Sequence, residues 1–321
     1  MKSPGIILHS DRAEVAKQLC ISHHPQLEIH VCETYQGLPD LIAQTQAEVV
    51  YSVRFSGTPN FPRQALLDSP SVKWISVGGS GTDHLNPWDP QVVTVTNAAG
   101  VAADMMAQYA LGMMLHFSLG VPKFRAAQER REWVAEEVEP IAGKAVLIVG
   151  LGKTGQAVAR LANAVGLTTI GVRARPEPVQ DVDVVHGVDD LNKLWPKADF
   201  IVVCVPLLET TRGLISAEAF NAMKKTAVLI DVSRGGVVDE SQLLSALDSD
   251  RIRGAALDVF ETEPLPGDHK LWAYDNVIIT PHCSSVYQGW EAKSVEMFCE
   301  NLTRYRRGEA LTNVVDPARG Y

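Results

Sequence analysis

The stretch Gly-Lys-Ala-Val-Leu-Ile-Val-Gly-Leu-Gly-Lys-Thr-Gly at positions 143–155 decides the fold of this chain. Its apolar run Ala145–Val149 is typical of a strand that is covered on both faces of a parallel sheet. The glycines that follow have the spacing G-x-G-x-x-G, and they lead directly into a helix predicted over 154–165. The pattern therefore predicts a strand, a tight turn and a helix in the order that is typical of an α/β domain.

The three glycines of this motif have separate tasks. Gly150 permits the tight turn, Gly152 leaves room for a pyrophosphate, and Gly155 lets the helix approach the strand closely. Backbone N–H groups near Lys153 and Thr154, at the start of the helix, would then meet the phosphates. The motif predicts a dinucleotide-binding site.

The second strand of the predicted unit indicates which dinucleotide is preferred. An acidic residue is expected there, about 20 residues after the glycines, where it would bind the ribose 2′-hydroxyl of NAD. Arg173 occupies this place, and Arg175 follows two residues later. A guanidinium attracts a 2′-phosphate and can bind it through two hydrogen bonds. We predict a preference for NADP(H); binding of NAD(H) is the alternative if these arginines are solvated surface charges.

Short apolar runs alternate with helix-compatible stretches along most of the chain. This alternation predicts an α/β protein with one small parallel sheet and a second sheet built from βαβ units. We place the boundaries between the two parts near residues 98 and 287. The predicted strands are 6–8, 28–31, 49–53, 73–77, 92–95, 145–149, 167–172, 200–205, 227–231, 255–258 and 277–280.

Length and composition fit this interpretation. The chain has 321 residues, of which 46% are hydrophobic and 21% charged, which is ordinary for a globular protein of about two domains. The net charge of −9 argues against a nucleic-acid partner, and no apolar run is long enough to cross a bilayer. The N-terminal segment lacks the apolar core of a signal peptide, and the five cysteines are scattered. We expect reduced thiols, a cytoplasmic location and no metal site, since His23 and His24 lack companions at ligand spacing.

Three further segments have helical patterns. Residues 101–132 predict a long, largely buried helix followed by a polar stretch, and its Met pairs fit core packing or a subunit contact better than a cofactor site. Asp239-Glu-Ser-Gln242 is typical of a capping box that begins another helix. A final amphipathic helix is predicted over about 287–307 and is expected to return to the first domain.

Three polar motifs follow strands of the second part of the chain, at 231–240, 257–266 and 280–285. The carboxyl ends of parallel strands are where an open α/β sheet binds its ligands. We therefore expect Arg234, Glu263 and His282 to converge there.

These residue types suit the reduction of a 2-keto acid. The reaction needs a cation that binds the carboxylate and polarises the ketone, and Arg234 carries a permanent, forked charge. It also needs an acid that protonates the ketone oxygen, and His282 is an imidazole, which titrates near neutral pH. A neighbouring Glu263 would favour the protonated imidazole and orient the ring.

Taken together, the motifs resemble the D-isomer-specific 2-hydroxyacid dehydrogenase family. The resemblance implies two Rossmann-like domains, with a doubly wound dinucleotide-binding domain at 98–287 inserted into a smaller, flavodoxin-like substrate domain at 1–97 and 288–321. It also implies a homodimer formed through an arm near 101–135, from which Trp133 reaches the partner subunit's substrate site. The motifs are VGGSGTDHLN (77–86), VTNAAG (95–100), GKAVLIVGLGKTG (143–155), VPLLETTRGLI (205–215), DVSRGGVVDE (231–240), GAALDVFETEPLP (254–266), NVIITPHCSS (276–285) and the tail from Asn301.

The family's residue roles carry over to the positions that match its motifs. Arg234 resembles the substrate-binding arginine, Glu263 the acid partner and His282 the proton donor. Gly78 and Gly79 resemble the loop that binds the substrate carboxylate, and Arg54 is expected at the same cleft. Asp258 resembles the residue that contacts the nicotinamide amide. The other cofactor contacts are expected from Val205, Pro206, Thr211, Val232 and Ser233.

The resemblance predicts an NADPH-dependent reductase of small 2-keto acids such as glyoxylate or hydroxypyruvate. Gln108 and Cys283-Ser284-Ser285 depart from the family's usual residues at their positions, which can alter the pocket. A formate dehydrogenase would pair the histidine with glutamine, whereas Glu263 stands here, and a phosphoglycerate dehydrogenase would often add a C-terminal domain beyond Tyr321. A dinucleotide-sensing binding protein, like co-repressors of this fold, is the alternative from another functional class.

Overall fold

The computed structural model describes residues 5–55 and 58–320. The chain divides into two compact units. The first contains the chain up to Val101 and again from Gln288, and the second runs from Ala102 to Tyr287. The predicted α/β class, with two parallel sheets covered by helices, is confirmed.

The first unit contains a five-stranded sheet, parallel throughout, in the order β2-β1-β3-β4-β5. This is the flavodoxin-like order, in which the chain reverses direction across the sheet beside the first strand. The strands are short apolar runs, as both-face coverage requires. They are β1 (Ile6–His9), β2 (Ile29–Cys32), β3 (Val49–Ser52), β4 (Trp74–Val77) and β5 (Thr94–Asn97).

Helices cover both faces of this sheet. On one face Val295, Phe298 and Leu302 of the last helix pack with Trp74, which is fully buried. The last helix contacts the first helix along its length, so the two ends of the chain belong to one core. The helices are α1 (Ala13–His23), α2 (Leu38–Thr45), α3 (Arg63–Leu67) and α10 (Trp290–Arg307), with a 3₁₀ turn at Asp83–Leu85.

The second unit contains a seven-stranded parallel sheet in the order β12-β11-β10-β9-β6-β7-β8. This is the doubly wound order with one additional strand, and the chain reverses between β6 and β9. Ligands bind at such a reversal, outside the carboxyl ends of the strands. The strands are β6 (Ala145–Val149), β7 (Thr168–Val172), β8 (Val184–His186), β9 (Phe200–Val203), β10 (Val228–Asp231), β11 (Gly254–Leu257) and β12 (Val277–Ile279).

Each face of this sheet has its own apolar core. One core includes Leu147, Trp195 and Phe220, and the other includes Ile148 and Phe117. The helices are α4 (Ala103–Ser118), α5 (Val121–Glu129), α6 (Lys153–Ala164), α7 (Leu191–Leu194), α8 (Ala217–Ala222) and α9 (Glu240–Asp248), with 3₁₀ turns at Val188–Asp190, Trp195–Lys197 and Lys270–Ala273.

The long helix predicted within 101–132 is present as α4, and the polar stretch after it begins with a second helix, α5. The chain forms two helices, because Gly120 has a left-handed φ of +63° and Pro122 begins a new helix with its fixed φ. Only one face of α4 is buried, along Ala103, Ala107 and Ala110. The interpretation as a largely buried helix therefore overestimates its burial within a single chain.

Two details of the second unit also differ from the sequence predictions. The edge strand β8 was missed, since it has three residues and half of the Val184 side chain is exposed. The predicted capping at Asp239 is present on one side only: its carboxylate accepts a hydrogen bond from the Gln242 N–H.

Among the described residues, no helix combines the length and the apolar character that a membrane span requires.

Candidate active site

The glycine turn after β6 leaves an open cradle at the start of α6. Gly150 has a φ of +103°, and a Cβ on Gly155 would lie 1.9 Å from the Gly150 carbonyl oxygen. Only glycine fits at these two positions. A Cβ on Gly152, by contrast, would meet nothing within 4 Å. No side chain caps the N-terminus of α6, which begins at Lys153, so its first N–H groups are available to an anion.

Arg173 stands beside this cradle. It directly follows Val172, which pairs with Val149 at the end of β6, and the Gly150 N–H donates to the Val172 carbonyl at 2.9 Å. Arg173 is half-buried and Arg175 is exposed. Within residues 5–55 and 58–320, no carboxylate forms an ion pair with either arginine. Arg173 therefore follows the strand that borders the glycine turn, at a place where an acidic residue would repel an additional phosphate.

The loop after β9 borders the same turn. A Cβ on Gly150 would lie 2.8 Å from a methyl group of Val205. The Thr211 hydroxyl donates to the Pro206 carbonyl at 2.6 Å and accepts from the Leu208 N–H at 2.8 Å. Thr211 thus fixes the shape of the loop with its side chain, which the sequence did not indicate.

The loop after β10 carries Arg234. Before it, the buried Asp231 carboxylate accepts the Ser233 N–H at 2.9 Å and the Ser233 hydroxyl at 2.5 Å. Burial raises the pKa of Asp231 to about 7, although the Ser233 hydrogen bonds and the charge of Arg234 oppose this shift. The Arg234 guanidinium donates to the Ser233 carbonyl at 2.7 Å. Ser233 and Val232 are both buried, and the Ser233 carbonyl accepts from Arg234. They therefore fix the position of Arg234.

Glu263 and His282 form the pair that the sequence predicted. His282 Nδ1 lies 2.8 Å from Glu263 Oε2, and each side chain is about one third exposed. The other carboxylate oxygen accepts the Phe260 N–H at 3.1 Å. Burial tends to raise the pKa of Glu263, but the hydrogen bond and charge of His282, the Phe260 N–H and the charge of Arg234 together lower it. The carboxylate is thus held ionised against the imidazole, within the electrostatic reach of Arg234.

His282 lies in a strained turn that Asp258 stabilises. Its φ of +51° is left-handed, which is uncommon for a residue other than glycine. The Asp258 carboxylate, 1% exposed, accepts the Cys283 N–H at 2.9 Å, the Ser284 N–H at 3.0 Å and the Thr280 hydroxyl at 2.6 Å. These contacts hold the turn on both sides of the histidine. A carboxylate has about four acceptor positions, so one remains for a further donor.

Tyr109 on α4 completes this support and was missed by the sequence analysis. Its hydroxyl donates to the Thr280 hydroxyl oxygen at 2.9 Å, since the Thr280 proton is directed to Asp258. Burial raises the pKa of Tyr109 to about 12, so the phenol stays protonated as a donor. Its position within an Ala- and Met-rich helix gave no signal of this role.

Three predicted site residues lie in the first unit. The Gly78 carbonyl accepts the buried Ser294 hydroxyl at 2.8 Å, and its N–H donates to the Ser52 carbonyl at 2.9 Å. Gly79 is exposed and a Cβ there would meet nothing within 4 Å, while its carbonyl accepts the Ala98 N–H at 2.9 Å. Arg54 is exposed and follows β3. Ser294, from the distant C-terminal helix, was not predicted to support this loop.

No group of three or more His, Cys, Asp or Glu side chains with the geometry of a metal site occurs in the part of the chain that the structure describes.

The doubly wound sheet and its glycine cradle define a dinucleotide-binding α/β protein. The family model "D-isomer specific 2-hydroxyacid dehydrogenase, NAD binding domain" matches residues 111–284. The chain belongs to the D-isomer-specific 2-hydroxyacid dehydrogenase family.

Individual relatives differ in the activities for which they are named. D-3-phosphoglycerate dehydrogenase of Methanocaldococcus jannaschii is 33% identical over 96% of this chain, which spans only 58% of that protein's length. Glyoxylate reductase of Korarchaeum cryptofilum is 35% identical, with 77% of each chain covered. The structure is also similar to an NADPH-dependent glyoxylate/hydroxypyruvate reductase from Sinorhizobium meliloti in complex with NADP and sulfate, with a TM-score of 0.84, 25% identity and full coverage of both chains.

Proposed function

We propose that this protein is an NADP(H)-preferring reductase that converts small 2-keto acids, glyoxylate and hydroxypyruvate first among them, into D-2-hydroxy acids. The observation that carries the proposal is the 2.8 Å contact between His282 Nδ1 and Glu263 Oε2, next to the Arg234 charge. A charged imidazole donor and a fixed cation are the two groups that a keto acid needs as its ketone oxygen gains a proton.

The chain's own residues have distinct tasks in this reaction. A bound nicotinamide dinucleotide supplies the hydride to the keto carbon. Arg234 binds the carboxylate and polarises the ketone, because its guanidinium is always charged. His282 donates a proton to the ketone oxygen from Nε2, since Nδ1 faces Glu263. Glu263 keeps the imidazole oriented and stabilises its charge.

The cofactor assignment is supported by the open space at Gly152, the uncapped N-terminus of α6 and the adjacent Arg173. The N–H groups at Lys153 and Thr154 are proposed to bind the pyrophosphate, and Arg173 with Arg175 the 2′-phosphate. Further cofactor contacts are proposed for Gly150, Gly155, Val205, Pro206, Thr211, Val232, Ser233 and, at the nicotinamide amide, Asp258. One acceptor position of Asp258 is left over by its three donors, which supports that last role.

We also propose that the unit formed by 1–97 and 288–321 binds the substrate carboxylate. The support for this proposal comes from residues within that unit. Gly79 is exposed, and its N–H makes no hydrogen bond to any described residue. Gly78 is fixed by Ser294 and Ser52, so the loop is preorganised, and Arg54 is an exposed cation one strand away.

A homodimer through the segment near 101–135 is proposed as well. Trp133 is 99% exposed, and α4 buries only one face within the chain. An exposed indole of this size is typical of an interface anchor. Light scattering should give a dimer for the wild type, and a monomeric wild type would overturn this part of the proposal. The proposed compartment is the cytoplasm, supported by five cysteines that are all free thiols.

The test of the function is a panel of 2-keto acids assayed with NADPH and NADH, followed by the loss of the reduced nicotinamide absorbance. We expect glyoxylate or hydroxypyruvate to be reduced with NADPH, and the product to be the D isomer where it is chiral. Tight binding of NADPH without turnover of any 2-keto acid would overturn the proposal in favour of a dinucleotide sensor.

A further inference from the structure

Glu240 and His269 form a hydrogen-bonded pair next to the segment that carries Glu263. Glu240 is the first residue of α9, and its Oε1 lies 3.0 Å from His269 Nε2. Its other oxygen accepts the Glu261 N–H at 3.5 Å. The side chains are only 19% and 21% exposed, so solvent screens the pair less than it screens a surface pair. One carboxylate therefore contacts both ends of residues 261–269.

The hydrogen bond of His269 Nδ1 shows which of the two ring nitrogens carries the proton. Nδ1 accepts the Leu271 N–H at 3.2 Å and thereby caps the 3₁₀ turn Lys270–Ala273. An accepting Nδ1 carries no proton, so the proton of the ring is on Nε2 and is directed at Glu240. The imidazole thus links the end of the segment to α9 with a defined donor and a defined acceptor.

The segment between these two contacts contains Glu263. Glu261, whose N–H donates to Glu240, precedes Glu263 by two residues, and Glu263 itself accepts the Phe260 N–H at 3.1 Å. A displacement of this short segment therefore changes the distance from Glu263 to His282, which is 2.8 Å. The next attachment of the segment to α9 is the contact of Lys270 with Asp248, whose side chains are 55% and 49% exposed.

Helix α9 is itself fixed to the Arg234 loop. Asp239 caps the helix by accepting the Gln242 N–H at 3.1 Å. Four residues earlier, Gly235 packs directly on the Phe260 backbone. Glu240 thus begins a helix whose position is set from the Arg234 side, and it extends this positioning to the Glu263 side.

We propose that Glu240 and His269 are positioning residues that act through Glu263 on His282. The inference rests on the proposed function, which makes His282 the proton donor. Neither residue touches the reacting groups; together they keep the carboxylate of Glu263 at hydrogen-bonding distance from the imidazole. A misplacement of about 1 Å at such a pair is enough to lower a rate on the order of 100-fold.

Two substitutions of His269 separate its contacts. His269→Gln places an amide N–H where Nε2 stands, so it retains the donor to Glu240. His269→Asn places an amide oxygen where Nδ1 stands, so it retains the cap of the 3₁₀ turn but loses that donor. We expect kcat to fall on the order of 10- to 100-fold in His269→Asn and Glu240→Ala, and much less in His269→Gln, with the Kd for NADPH unchanged. Lys270→Ala, which removes the neighbouring exposed ion pair, is the matched control and should keep the wild-type kcat.

A double-mutant cycle distinguishes positioning from general destabilisation. If Glu240 acts through Glu263, Glu240→Ala should have no further effect on kcat once Glu263→Gln is present. Additive losses would overturn the inference, as would a wild-type kcat in His269→Asn. If Glu240→Ala fails to fold, the two His269 variants in the Glu263→Gln background decide the question in the same way.

A measurement without turnover keeps the inference apart from the proposed function. The ¹⁵N chemical shifts of the His282 ring report its contact with Glu263. They should change in Glu240→Ala and His269→Asn and stay as in the wild type in Lys270→Ala. Unchanged shifts in all three variants would overturn the positioning role. If the wild type itself turns over no keto acid, the proposed function is overturned. The chemical-shift evidence for the positioning role would still hold.

Discussion

Gly235 packs against the carbonyl oxygen of Phe260 so closely that a Cβ on the glycine would lie 1.8 Å from that oxygen. Gly235 follows Arg234, and Phe260 precedes Glu263 and donates its N–H to the Glu263 carboxylate. Gly235 and Phe260 belong to different loops that are distant in sequence. Their backbones are nevertheless in direct contact. The Arg234 loop and the Glu263 segment can approach this closely only because Gly235 has no Cβ.

A substitution Gly235→Ala should therefore damage both stability and activity. The methyl group must displace the backbone at Phe260, and an overpacked core of this kind costs about 1–3 kcal/mol in the free energy of unfolding. Because the displaced backbone carries Glu263, kcat should fall as well. Urea unfolding and initial rates measure the two effects. Gly267→Ala is the control, since a Cβ there meets nothing within 4 Å, and equal behaviour of the two variants would contradict the account.

The glycine cradle gives a pair of contrasting variants. A Cβ at Gly155 would lie 1.9 Å from the Gly150 carbonyl oxygen, so Gly155→Ala should lower the midpoint of thermal unfolding strongly or prevent folding. At Gly152 the φ is −72° and no atom lies within 4 Å of a Cβ, so Gly152→Ala should fold with an unchanged midpoint. It should nevertheless bind NADPH more weakly, because the methyl group occupies the space proposed for the pyrophosphate. Wild-type affinity in a folded Gly152→Ala would contradict that placement.

Arg173 should decide the choice between the two dinucleotides. Arg173→Asp replaces an attraction for the 2′-phosphate by a repulsion, so the ratio of kcat/KM for NADPH to that for NADH should fall on the order of 100-fold. Steady-state rates with both cofactors give the ratio. Lys193→Asp makes the same change of charge at a side chain that is 76% exposed and should leave the ratio unchanged. An unchanged ratio in Arg173→Asp would refute the argument from the arginine.

His9 should make the stability of the protein depend on pH. Its ring is fully buried, with Nδ1 2.9 Å from the Ser52 hydroxyl oxygen. Burial lowers the pKa of His9 from 6.5 to about 4, although the nearby Thr34 backbone opposes the shift. His9 therefore becomes protonated below pH 6.5 in the unfolded chain, but only near pH 4 in the folded chain. The stability that the neutral, buried His9 contributes is therefore fully present above pH 6.5. As the pH falls from 6.5 toward 4, the free energy of unfolding decreases by about 3 kcal/mol.

Urea unfolding at pH 7 and at pH 4.5 measures this dependence. His9→Leu should show a smaller loss of unfolding free energy between the two pH values than the wild type. His23→Gln, at an exposed position of α1, controls for the removal of a histidine. The same loss in His9→Leu as in the wild type would show that other groups cause the dependence.

Much of the fold was predictable because its signals are local. The run Ala145–Val149 and the glycines after it specify a strand, a turn and a helix within 20 residues, and each predicted strand from 6–8 to 277–280 overlaps an observed one. The convergence of Glu263 and His282 followed from the rule that parallel strands end on one edge. What failed was the extent of burial: Asp104 and Gln108 of α4 are exposed, and the apolar side chains of Met105, Met106 and Met113 are only half-buried.

The supporting contacts of the site could not be predicted, because they join residues without a common motif. Asp258 binds the N–H groups of Cys283 and Ser284, across 25 or 26 positions, and Tyr109 reaches Thr280 across 171 positions. Such contacts depend on the order of the strands and on the side-chain rotamers. Neither is encoded by the local pattern around the residues concerned.

The central claim is that His282 donates the proton, and the most direct test compares His282→Gln with the wild type under saturating NADPH and keto acid. Glutamine retains much of the ring's size and places an amide where Nε2 stands, but it cannot donate a proton as an acid. We expect kcat to fall by about 100-fold or more while the Kd for NADPH stays at the wild-type value. A kcat in His282→Gln equal to that of the wild type would contradict the account.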